Sequence, residues 1–67
     1  MLTVEEAAEI CSKNVKNAMV SVRETKRYFL FELEGGDEYS PYISVDKYTG
    51  KCDVYSIANH LDDYFSD

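Results

Sequence analysis

The chain has 67 residues, 45% of them apolar and 30% charged, with a formal net charge of −6 at pH 7. That size is near the lower limit for an unaided core, so it excludes a second domain. A buried active site of roughly a few hundred Å³ would consume much of that core, which turns the reading toward binding proteins. The apolar fraction excludes a disordered acidic tail.

The charge is unevenly placed. Residues 1–33 carry five bases and five acids, whereas residues 34–67 carry two bases and eight acids. Direct nucleic-acid binding is disfavoured, because phosphate contacts need a basic face. A basic protein partner fits the acidic half, and an acidic soluble surface without a partner is the alternative. The two cysteines, Cys11 and Cys52, make no disulfide framework. "MLTVEE" carries neither a basic n-region nor an apolar h-region, and no apolar run spans a bilayer. A reduced, cytoplasmic protein with core thiols and no membrane segment is expected.

In chain order, Thr3-Val4-Glu5-Glu6 reads as a capping box. Val4, Ala7, Ala8, Cys11 and Val15 follow at helical spacing, and Asn14 to Asn17 mark the exit. Ala18 to Glu24 reads as a first strand with Val20 and Val22 facing the core. Arg27 to Leu33, "RYFLFEL", is the strongest strand signal. Residues 36–41 read as a polar loop after Gly35 and Gly36. Tyr42–Asp46 and Lys51–Tyr55 are the third and fourth strands.

Between the last two strands lies "VDKYTGK". Asp46 can accept from turn amides, and Gly50 can take the left-handed conformation that closes a hairpin. A phosphate loop fails here because Val45 stands where its first glycine belongs and Cys52 replaces Ser or Thr. A calcium loop fails because Asp46 alone supplies a spaced carboxylate. Ser56 is expected to cap a last helix whose apolar stripe is Ile57, Ala58, Leu61, Tyr64 and Phe65.

The expected fold is α+β and two-layered. An antiparallel meander of three to four strands carries its N- and C-terminal helices on one face. The other face would then be open and show Tyr28, Leu30, Glu32, Tyr42, Ser44, Lys51, Asp53 and Tyr55. Tyrosine is enriched at interfaces, although it also favours strands for its own sake. The candidate partner-binding residues are therefore Tyr28, Leu30, Glu32, Tyr42, Asp53 and Tyr55, with Asp62 and Asp63 at the rim. A homodimer through this face is as compatible as a foreign protein.

Evidence for chemistry is thin. His60 is the single histidine, and both thiols fall on core-facing positions where they should be inert. No Cys or His pair has metal-ligand spacing. Asp62 and Asp63 are adjacent and diverge on a helix. Glu34, Asp37 and Glu38 offer at most a weak calcium loop. No catalytic residue, metal site or cofactor is assigned.

The segment Pro41-Tyr42-Ile43-Ser44-Val45-Asp46-Lys47-Tyr48-Thr49-Gly50-Lys51 resembles the P-x-I-x-V-D-K-x-T-G hairpin of small YrhB-like proteins, which group with toxin-immunity proteins. Tyr28-Phe29-Leu30-Phe31 looks like their upstream aromatic strand, and His60 to Phe65 like their acidic-aromatic closing helix. The hairpin, with Glu6-Ala7-Ala8-Glu9-Ile10 before it, is also similar to PepSY-type modules. Short phage open reading frames look alike too. The resemblance implies a non-enzymatic protein that binds and restrains another protein, and it carries over no catalytic residue. The expectation is a small acidic inhibitor, either an immunity protein or a phage-encoded inhibitor of a host defence or nucleic-acid-processing enzyme. The alternative is a homo-oligomeric assembly protein using the tyrosine-bearing face.

Overall fold

The computed structural model describes residues 1–35 and 42–65. Its first element is fixed by the expected capping box. Thr3 Oγ1 accepts the Glu6 amide at 3.2 Å, and Glu6 Oε1 accepts the Thr3 amide at 3.0 Å. Helix α1 then runs Val4–Asn14, with Glu5 and Glu6 at its positive end and Lys13 in its last turn. Four strands follow, β1 (Met19–Glu24), β2 (Tyr28–Leu33), β3 (Tyr42–Asp46) and β4 (Cys52–Val54). They pair antiparallel in the order β1-β2-β3-β4. A 3-10 turn (Ile57–His60) leads into a short α2 (Leu61–Tyr64). The α+β class, the meander and a helix at each end are thus as the sequence predicts.

The main core lies between α1 and the sheet. Ala7 and Cys11, one turn apart and fully buried, meet Phe29, Phe31 and Val45. Small residues on the helix let it sit close to large ones on the strands. Leu2, Ile10, Leu33, Ile43 and Cys52 pack around that centre. Each deeply buried Phe stabilises the fold by about 1.5–3 kcal/mol relative to exposure. Val4, expected within the stripe, remains 38% exposed at the helix start.

The β3–β4 connection is a hairpin bend. Asp46 Oδ1 accepts the amides of Tyr48 at 2.8 Å and Thr49 at 3.1 Å, and the Gly50 amide donates to Asp46 O at 2.9 Å. Gly50 has φ 76°, the left-handed value that closes such a turn. Burial raises the Asp46 carboxyl pKa, but the two turn amides and Arg27 outweigh it and hold it below the usual range. The neighbouring Lys47 is also buried. Its ammonium donates to Glu24 Oε2 at 2.6 Å and to the Thr25 carbonyl, and it lies 5.1 Å from the Phe29 ring. Lys47 thereby ties the end of β1 to the end of β3 across the β2 strand between them.

Two expectations need correction. The helices do not share a face. α1 packs on the side of Phe29, Phe31 and Val45, while the C-terminal segment lies over Tyr28, Tyr42 and Tyr55 on the other side. The sheet is therefore a middle layer. The second correction concerns β1, where Val20 and Val22 are 63% and 49% exposed and are not core. A bulge between Met19 and Ser21 shifts the register at Val20, and α1 covers β2, β3 and β4 but not β1. The expected loop at residues 36–41 and the carboxylates of Asp37, Glu38 and Asp67 lie outside the described residues.

Candidate functional site

The sheet face opposite α1 is built by alternation. Tyr28, Leu30 and Glu32 leave β2 on that side, and the register sets Leu30 beside Ser44 and Glu32 beside Tyr42. Leu30 and Tyr55 are fully buried, at 0% and 1% exposure, and Ser44 is buried as well. The face predicted to be open is closed by its own chain.

Rings and polar tips close it. His60 stacks on Tyr55 at 4.7 Å between centroids and meets the Tyr28 ring edge-on at 5.5 Å. Tyr64 sits 6.3 Å from both Tyr42 and Tyr55. The Arg23 guanidinium lies 4.0 Å over the Tyr64 ring and donates to the Tyr64 carbonyl at 3.1 Å. Tyr55 donates its hydroxyl to Asp63 Oδ2 at 2.9 Å, while Asp63 Oδ1 accepts the Arg27 amide at 3.2 Å. Burial, followed by the Asp63 hydrogen bond, pushes the Tyr55 phenol well up from its ordinary pKa. The Tyr42 phenol is raised too, chiefly by a hydrogen bond with Tyr64 and then by burial.

The candidate residues therefore separate. Tyr28 and Tyr42 are half-buried beneath the segment, and Leu30 and Tyr55 are inaccessible. Glu32 is half-buried and accepts the Ser21 hydroxyl at 2.8 Å. Asp53 is exposed and bonds the Val54 amide at 2.8 Å. Asp63 is turned inward as a clamp, whereas Asp62 stays on the surface.

What sequence reasoning missed is the outer side of α2. Leu61 is 52% exposed and Phe65 is 70% exposed, although both belong to the stripe expected to be buried. The cause is the 3-10 turn. It advances about 120° per residue against about 100° in an α-helix, so four residues rotate the stripe by roughly 80°. One signal was available. Thr3 has Glu6 three residues on, but Ser56 has Asn59, which cannot complete a capping box, and Ser56 makes no side-chain cap bond.

A cleft of about 330 Å³ opens beside His60, lined by Arg27, Tyr28, Asp46, Lys51 and Asp53 among others. Its bases and acids offset each other, and Arg27 is already bonded to Asp46 at 2.9 Å. His60 is held through Nδ1 by the Ser56 carbonyl at 2.8 Å. Both cysteines are free, and burial raises both thiols above their ordinary pKa, which opposes a nucleophilic role. Among the described residues no group of three His, Cys, Asp or Glu is placed to hold a metal ion. Among them, too, no helix is long and apolar enough to cross a membrane.

The site thus defines a class of surface: a short acidic helix, locked from beneath by rings, that presents two large apolar side chains outward. Comparison with family models, with curated proteins and with solved structures finds no match.

Proposed function

We propose that the chain is a small, acidic, non-enzymatic protein that binds and restrains a basic protein partner through the outer side of α2. The observation that carries the reading is the pair Leu61 and Phe65, one turn apart and 52% and 70% exposed beside the exposed carboxylate of Asp62. Apolar anchors ringed by charge are the anatomy of a protein-binding patch. The excess of acids in residues 34–67 selects a basic counterpart and speeds its encounter. Asp62 stays a rim residue on this reading, while Tyr28, Tyr42 and Tyr55 act from beneath by holding α2 in place. Toxin immunity, or inhibition of a nucleic-acid-processing enzyme through its basic groove, is the biological role that suits such a surface.

The test is affinity capture on the immobilised chain, run alongside the double variant Leu61→Ala/Phe65→Ala. The expected result is a basic protein that the wild type retains, the variant loses, and rising salt releases. A partner held equally by both chains, and unmoved by salt, would sink the proposal. Because both side chains are mostly exposed, the variant should keep its stability within about 0.5 kcal/mol.

A further inference from the structure

A different surface, along the edge of the meander, carries an inference independent of that reading. Among the described residues β1 is an edge strand, and all six of its residues are exposed. Thr25 donates to the Tyr28 carbonyl at 2.9 Å, which closes the β1–β2 hairpin. Antiparallel alternation from that pair turns the N–H and C=O of Val22 away from β2, toward no strand among the described residues. Side chains add to the opportunity, since Met19, Val20 and Val22 are 41%, 63% and 49% exposed.

Proteins usually guard such an edge with charge, and here the charges are drawn aside. Glu24 is engaged by the buried Lys47 ammonium, and Arg23 is laid on the Tyr64 ring. Among the described residues the bulge at Val20 is the one remaining guard, and it lies beyond Ser21, outside the run Ser21 to Arg23 that pairs regularly about Val22.

We propose that β1 pairs antiparallel with β1 of a second copy of this chain, about a two-fold axis through Val22, giving a continuous eight-stranded sheet. In this register Val22 faces the second copy's Val22, and Ser21 faces the second copy's Arg23, so like charges never stand opposite each other. Same-face partners require the register to be centred on a residue. Centring on Arg23 would oppose two guanidinium groups, and centring on Ser21 would set the bulged Val20 opposite Val22, so both neighbouring choices are disfavoured.

Charge supports the same pairing. The β1–β2 hairpin has a basic end, where Arg23, Lys26 and Arg27 outnumber Glu24, and an acidic end, with Glu32 beside Ser21 and Glu34 bonded through its amide to Ala18. The two-fold axis sets the basic end of each hairpin against the acidic end of the other. Such a contact is isologous and closes at two copies, so the edge is capped and not extended into a filament.

Sedimentation equilibrium across a concentration series tests this with the wild type, Val22→Lys and Val20→Glu, each checked for its fold by circular dichroism. The wild type should rise from 7.7 kDa toward twice that mass. Val22→Lys places two like charges on the axis and should weaken association roughly tenfold or more, with Val20→Glu, which stands opposite the second copy's Glu24, acting in the same direction to a smaller extent. A wild type that stays monomeric at every concentration overturns the proposal. So does a dimer that both folded variants leave untouched, because it would use another surface.

Discussion

The two faces of the sheet are closed by different means. On one, an eleven-residue helix with a complete capping box buries Ala7 and Cys11 against Phe29, Phe31 and Val45. On the other, a 3-10 turn and one turn of α-helix bury none of their own residues. They nevertheless cover Tyr55 with His60, Tyr64 and Asp63, and Tyr55 and Leu30 on that face are fully buried. The first cover is held by shape and apolar area. The second is pinned by a phenol on a carboxylate, a guanidinium on a ring, and stacked aromatics. The contrast teaches that an apolar stripe does not by itself decide which way a short helix turns. Where polar tips can reach fixed partners, they orient the helix, and its apolar residues are left outside.

The comparison can be broken most severely in the first face. Phe31→Ala removes a side chain that is 2% exposed and should cost about 3–5 kcal/mol, read by urea denaturation. A loss below 1 kcal/mol would mean that the helix face is not the stronger half. On the second face, Tyr55→Phe deletes only the hydroxyl bonded to Asp63 and should cost about 1.5–3 kcal/mol, because its acceptor is a carboxylate.

That variant also has a pH signature. The Tyr55 phenol is raised in the fold, so its contribution is fully present below its unfolded value of about 10 and is lost as pH rises beyond it. Tyr55→Phe should flatten the alkaline decline in stability, with Tyr42 and the two raised thiols, Cys11 and Cys52, continuing to contribute to it. An unchanged alkaline limb would remove Tyr55 from the account. Asp46 acts oppositely. Its carboxyl is depressed, so its contribution holds above about pH 4 and fades as pH falls further.

The smallest effects sharpen the contrast between the two helix starts. Thr3→Ala should cost about 1 kcal/mol, since both bonds of its box are present. Ser56→Ala should change stability by less than about 0.5 kcal/mol, because its side chain caps nothing. Equal losses in thermal melts of the two variants would contradict the difference in capping.

Much of this fold is legible in the sequence wherever one local rule governs. The capping box starts α1, Asp46 and Gly50 shape the hairpin, and alternation assigns β2 and β3 their faces. Legibility fails where geometry accumulates. The bulge interrupts β1 at Val20 while α1 stops short of the in-phase Val22, and the 3-10 turn undoes the phase of α2. The candidate site suffers most, because it depends on that second phase. The tyrosines were rightly placed on one face but wrongly left uncovered. The apolar stripe assigns Leu61 and Phe65 inward, whereas the 3-10 turn brings them out and the clamp on Asp63 holds them there.

Lys47 offers a practical consequence. Its amine is shielded by Glu24, Thr25 and Phe29, while the side chains of Lys13, Lys16, Lys26 and Lys51 belong to exposed residues. Brief acetylation of the native protein should therefore label those four lysines and spare the fifth. The acetylated fraction of that one amine would then count molecules in which the sheet has opened, giving a chemical gauge of unfolding without any introduced probe.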